Sequence, residues 1–210
     1  VDLEKLARGT PMFSGADLAA IINEAAISAT MGQKEFIEHE DLEEARDKVK
    51  FGRAKKSRVR EADENKLTAY HEAGHAILQV LLKDADPLHK VTIIPRGQMG
   101  GATFSLPEKD RMGVSLKWLN ATMRMACGGR IAEEKAMADV SSGAVSDIGQ
   151  VTNMARSMVL EWGMSPRLGF IRYAGADTRE SYVAEREYSD STAHIIDEEV
   201  RRIIDEAYND

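Results

Sequence analysis

The sequence is poor in the features that mark several protein classes. It has one cysteine, Cys127, so no internal disulfide can form. A disulfide-stapled secreted scaffold is excluded, and a reducing compartment is expected. The longest nearly apolar run, Ala76–Leu82, covers seven residues and includes Gln79, far short of the ~20 residues that cross a bilayer. No signal peptide is expected from the residues that follow Val1. Basic residues are not in excess, since the formal net charge is −7. The basic footprint of a nucleic-acid binder is therefore missing. No Gly-x-x-x-x-Gly-Lys-Ser/Thr loop occurs, so the element that cradles nucleotide phosphates is absent.

What is present suits a globular chain. At 43% hydrophobic and 30% charged residues, a real core can form. A length of 210 residues allows one ordinary domain or two small ones. The charge is uneven. Residues 177–210 hold 11 Asp/Glu against 4 Arg, whereas residues 1–176 balance 24 acids with 24 bases. The acidity belongs to the C-terminal segment, where the solvated face of a helix is expected.

The pattern predicts a mainly α fold with one small β-hairpin. Asp2 caps a short helix, and Thr10-Pro11 breaks it. Ser14 with Asp17 at N3 resembles a capping box. Leu18, Ile21, Ile22, Ala25, Ala26 and Ala29 follow at helical spacing up to Gly32. A third helix carries Leu42, Ala45 and Val49 on one face, with Asp41 near its start. The segment Gly52–Arg60 holds five positive charges and no acid, and reads as a solvated linker. Residues 61–83 form the next helix, with an expected buried stripe of Leu67, Tyr70, Gly74, Ile77, Leu78 and Leu81. Two short β-branched or aromatic runs follow, Val91–Ile94 and Gly101–Leu106, able to pair through the turn at 96–100. Leu116–Met137, Asp147–Trp162 and Tyr188–Tyr208 are expected helices.

One pentapeptide carries chemistry: His71-Glu72-Ala73-Gly74-His75. On a helix, residues four apart share a face. Both imidazoles can then reach one tetrahedral Zn²⁺, and Glu72 beside them can act as general base for an attacking water. A catalytic zinc needs a third protein ligand. His75 is followed by Ala76–Leu81, without the Gly and His extension of metzincins. His89, His39 and His194 are poorly placed in sequence. Glu133, Glu134, Asp139 and Asp147 are the better candidates. Glu133 and Glu134 otherwise read as exposed helix residues and Asp147 as an N-cap. The residues alone leave this choice open.

Longer segments narrow it by resemblance. Tyr70–Ala76, Lys90–Gly97, Gly128–Glu134, Ser142–Asp147, Ala155–Val159 and Asp197–Arg201 resemble, in order and spacing, the peptidase domain of the FtsH family of ATP-dependent zinc metalloproteases. Thr10–Leu18 with Asn23–Ala26 is similar to the helical lid that ends an AAA+ ATPase module. The resemblance implies a lid at residues 1–56 and a helical zinc peptidase domain at 57–210. It implies His71, His75 and Asp147 as metal ligands and Glu72 as catalytic base. It also implies a homohexamer acting on protein and peptide substrates. An ATPase core and membrane anchor would lie upstream, with ATP and Mg²⁺ used only by the full-length protein. The peptidase domain would face the cytoplasm from a bacterial inner membrane, an organellar membrane being the alternative. Gly101, Ala102, Thr103 and Phe104 could receive substrate as an added strand. Two other classes compete: a non-catalytic assembly or adaptor domain derived from such a protease, and a structural metal protein. The intact His71, Glu72, His75 and Asp147 set argues against the first. Glu72 between the histidines, and the lack of an evident fourth ligand, argue against the second.

Overall fold

A computed structural model describes residues 1–55, 57, 60–97, 99–107, 111–173 and 188–210. Its chain divides into two compact units. The first comprises Val1–Ala76 and Asp86–Met112, and the second Ile77–Ala85 and Gly113–Asp210. The mainly α class with one two-stranded sheet is as expected.

The first unit begins with α1 (Leu3–Arg8), α2 (Gly15–Met31) and α3 (His39–Phe51). Asp2 accepts the Lys5 amide at 2.9 Å and so caps α1. The capping box at α2 is complete: Ser14 accepts from the Asp17 amide, and Asp17 accepts from the Ser14 amide. Glu38 and Asp41 form the same reciprocal pair at α3, although Glu38 is an unusual N-cap residue. Ile21, Ala25, Leu42 and Ala45 make the buried centre, flanked by Leu6, Phe13, Ile37 and Val49.

This core is small, and a buried ionic network extends it. α3 turns acids toward β1 (Leu88–Thr92), which pairs antiparallel with β2 (Ala102–Ser105). Asp47 is fully buried and binds Arg46 and Lys90, with Arg96 3.9 Å away. Glu43 binds Arg46 at 3.0 Å and the His89 ring at 2.9 Å. Burial pushes the Glu43 carboxyl up, but the His89 hydrogen bond and the nearby Arg46, His89 and Lys90 charges hold it below its ordinary range. The register slips between Leu88 and Lys90, so His89 sits in an irregularity of β1. That placement explains why His89 pairs with α3 rather than continuing the ladder.

Two expectations shift here. The first strand ends at Thr92 and excludes Ile93 and Ile94, because the Ile94 amide donates to the Thr92 hydroxyl at 3.1 Å and turns the chain. The basic segment is more than a solvated linker. The Arg60 side chain is buried and donates to the Gly100 carbonyl at 2.7 Å, while the Lys55 amide donates to Pro95 at 2.8 Å. Three members of this segment, at 56, 58 and 59, lie outside the described residues.

α4 (Ala62–Leu81) runs from the first unit into the second. The expected stripe is buried only in part: Gly74 is buried and Leu67 and Leu78 are half-buried. Ile77 is 58% and Leu81 73% exposed, and Tyr70 is also exposed. The polar Glu72, His75 and Gln79, outside that stripe, are buried as well. The polar face of α4 is thus the inner one.

The second unit packs α5 (Leu116–Met137), α6 (Val145–Leu160) and α7 (Asp190–Asn209) together. Leu119, Met123, Val151, Ala155, Met158, Val159, Ile196 and Ile203 form its centre. Ser115 and Ser189 cap α5 and α7. Much of α7's charge is solvated, as with Arg201 and Asp205, but Glu199 is wholly buried. Part of the acidic stretch, residues 177–187, lies outside the described residues. The Ser165 hydroxyl donates to Glu199 at 2.6 Å, and Arg202 donates twice at 3.0 Å. The Arg202 bonds, aided by Ser165 and by the Arg202 and Arg167 charges, hold the Glu199 carboxyl below its usual 4.5 despite burial.

Glu199→Ala strands the Ser165 hydroxyl and should destabilise the chain by roughly 1–3 kcal/mol, read as a lower denaturation midpoint. Because the native carboxyl is depressed, its stabilising effect is complete above about 4.5, the unfolded value, and is lost as pH falls through the lower native one. Acid titration of unfolding should therefore show a smaller loss below that point in Glu199→Ala than in the parent chain.

Candidate metal centre

The site begins with the spacing of two histidines on α4. His71 and His75 lie one turn apart, and their Nε2 atoms approach to 3.0 Å. The rings meet nearly edge to face, with centroids 4.7 Å apart and planes at 82°. Two nitrogens bound to one tetrahedral ion at about 2.0–2.1 Å would lie roughly 3.3–3.4 Å apart. Small ring movements bridge that difference, so the pair fits a shared ion.

Glu72 lies between the histidines in sequence and is only 6% exposed. β2 holds it. The Thr103 hydroxyl contacts Glu72 Oε2 at 2.8 Å and the Glu72 backbone carbonyl at 3.2 Å. Gly101 brings the strand to the helix at close range. A Cβ on Gly101 would sit 2.7 Å from Glu72 Oε1 and 2.9 Å from both Glu72 Cγ and Thr68 Cγ2. Only glycine allows this approach. The predicted strand residues Gly101, Ala102, Thr103 and Phe104 thus include two that touch the base candidate. Phe104 instead packs on Phe51, at 5.0 Å between centroids.

The candidate third ligands separate clearly in the second unit. Asp147 occupies the first turn of α6 and is half-buried. It is not the N-cap: Ala144 holds that position, without a side-chain bond. A burial-raised Cys127 thiol, pushed up to about 11, also feels the Asp147 charge. Glu133 is not an exposed helix residue, being 1% exposed. It accepts from the Ser141 amide at 2.8 Å and the Ser141 hydroxyl at 3.1 Å. Arg130 donates to the Ser141 carbonyl at 2.9 Å. Ser141 in turn caps the 3₁₀ turn Ser142–Ala144, which runs directly into α6. Glu133 and Arg130 therefore fix the loop that delivers Asp147. Glu134 is exposed and accepts from the Tyr208 hydroxyl at 2.6 Å; burial and this bond push Tyr208 up to about 12. Asp139 is exposed and accepts the Val140 amide. His89 is tied to Glu43, His39 lies 3.6 Å from Glu43, and His194 is exposed beside Glu198.

Residue reasoning missed the roles of Thr103, Glu133 and Arg130. Only Glu133 and Arg130 had a signal, as polar members of the Gly128–Glu134 motif.

A helix bearing two histidines at i and i+4, with a buried glutamate after the first, is the metal-centre layout of a zinc-dependent hydrolase class. Comparison with known proteins specifies the family. Residues 58–210 match the model of peptidase family M41, and residues 1–44 match that of the AAA+ lid domain. The chain belongs to peptidase family M41. It is 50% identical over 99% of its length to ATP-dependent zinc metalloprotease FtsH 2 of Methylacidiphilum infernorum, covering 33% of that protein. It is 48% identical over 100% of its length to ATP-dependent zinc metalloprotease FtsH of Rubrobacter xylanophilus, again covering 33%. An FtsH of Acidobacterium capsulatum is 47% identical over 99% of the chain and 33% of the relative. The chain spans about a third of the length of these curated relatives.

Gly101→Ala should displace the Glu72 carboxylate and cost roughly 1–3 kcal/mol, measured by chemical denaturation. Glu133→Ala should cost a similar roughly 1–3 kcal/mol by stranding the half-buried Ser141 amide. Amide hydrogen exchange should then rise at Ser141–Asp147 while α5 stays protected.

Proposed function

We propose that this chain is the zinc endopeptidase part of an ATP-dependent protease, with Zn²⁺ held by His71, His75 and Asp147. The convergence of His71 and His75 beside the buried Glu72 carries the reading. Two neutral imidazoles and one carboxylate are a donor set that zinc favours, and three protein ligands leave a position open for chemistry. Family membership and the printed names of the relatives support the same metal and reaction. The braced Ser141–Ala144 segment supports Asp147 as the oxygen ligand, because a ligand loop that is fixed needs little ordering when the ion binds.

Zinc bound there supplies Lewis acidity, polarising the scissile carbonyl and making a water easier to deprotonate. The remaining steps fall to this chain. Glu72 takes the proton from the attacking water and passes it to the leaving amine, so the carboxylate is regenerated. Gly101, Ala102, Thr103 and Phe104 receive the substrate backbone along the edge of β2. Among the described residues the sheet has two strands, so this edge carries no strand partner. Backbone recognition of that kind suits unfolded chains of varied sequence.

The wider assembly follows the same proposal. Residues 1–56 are the end of an ATPase lid and 57–210 the peptidase domain, in line with the family matches at 1–44 and 58–210. The full-length protein is a homohexamer that uses ATP and Mg²⁺ through an upstream core. It is anchored in a membrane and faces the cytoplasm; the bacterial sources of the relatives favour an inner membrane over an organellar one. None of the helices among the described residues is long and apolar enough to cross a membrane.

Metal analysis should find about one zinc per chain, lost in His75→Ala and weakened in Asp147→Asn. Unchanged zinc in Asp147→Asn would move the third ligand elsewhere. Glu72→Gln should retain zinc while casein cleavage by the full-length protein falls roughly 10²–10⁴-fold. Cleavage at the parent rate would overturn the assigned base.

A further inference from the structure

We infer that Thr103 is a positioning residue for the general base: its hydroxyl locks the Glu72 carboxylate in the orientation that accepts the water proton. This rests on the proposed hydrolytic role of Glu72. A glutamate has three rotatable side-chain bonds, so being next to the metal ligand His71 does not by itself aim its carboxylate. The geometry aims it from β2. Thr103 donates to Oε2 at 2.8 Å, which occupies one oxygen. The second oxygen, Oε1, faces the Cα of Gly101, where a Cβ would come within 2.7 Å and force it aside. One oxygen is held by a hydrogen bond while the other is left room by a missing side chain.

Thr103 is itself rigid. Its β-branched side chain has few χ1 choices, and its backbone is in register with Val91 of β1. The hydroxyl reaches both the Glu72 carboxylate and the Glu72 carbonyl. Strand position and carboxylate direction are therefore coupled. The same strand is the one proposed to receive substrate.

The test is a steady-state comparison of Thr103→Val, Thr103→Ser and Glu72→Gln in the zinc-loaded full-length protein, with a peptide substrate and zinc analysis of each. Thr103→Val keeps the shape and removes the donor. It should lower kcat roughly 10–100-fold, as loss of an outer-shell partner commonly does, with KM and zinc content unchanged. Thr103→Ser restores the hydroxyl and should recover most of kcat. If Thr103→Val does not fold, Thr103→Ala removes the same donor with less bulk and is read identically. A valine variant with parental kcat overturns the inference, as does a rise in KM alone. So does a serine variant as slow as the valine one, because packing would then be the role of Thr103. An active Glu72→Gln protein instead removes the base assignment and the inference with it. An inactive Glu72→Gln with a fully active Thr103→Val removes the inference alone.

Discussion

The structure depends on one constraint: α4 turns a polar face inward. Glu72, His75 and Gln79 are buried while Ile77, Val80 and Leu81 are exposed. A buried carboxylate or imidazole costs several kcal/mol unless it is satisfied, so the neighbouring chain must be built around these groups. β2 and the residue before it do this for Glu72, through the Thr103 hydroxyl and the bare Cα of Gly101. The histidines turn their ring nitrogens toward each other. The site is thus a consequence of how a polar helix face is accommodated. The hairpin serves it by bringing β2 against the helix.

A second polar device lies in the same unit. Few apolar side chains pack among α1, α2 and α3. Ion pairs add to the contact from α3 to β1, through Asp47 and Glu43 with Arg46, His89 and Lys90. Paired buried charges seldom add much net stability, because desolvation offsets the attraction, but they penalise any arrangement that separates them. Here they specify which face of α3 meets the hairpin. Because β1 is paired to β2, they also fix the platform on which Thr103 stands. The second unit applies the same logic on a smaller scale. Glu199 bonds Ser165 and Arg202, and Glu133 bonds Ser141, each buried carboxylate anchoring a loop to a helix.

The local signals in the sequence were faithful where the governing physics is local. The caps at Asp2 and Ser14 and the 3.6-residue periods of α2, α5 and α6 produce the expected helices. Backbone amides at a helix start are satisfied by residues three positions away, so the information lies within the segment. The His71–Glu72–His75 spacing is legible for the same reason. Expectations failed where a distant partner decides. Glu133 reads as a surface residue until Ser141 is seen to bond it. Arg60 reads as a linker charge until the Gly100 carbonyl meets it. The α4 stripe reads as a core face until its polar side proves to be the inner one.

The sequence by itself determined the helices, the hairpin and the pair of histidines with a glutamate between them, since each depends on spacing along one segment. Tertiary structure decided which face of α4 is buried, which carboxylate braces a loop, and which way Glu72 points. Those outcomes depend on partners in other segments, such as Ser141 for Glu133 and Thr103 for Glu72, and on a close approach that only the missing Cβ of Gly101 permits. No periodicity within one segment encodes them.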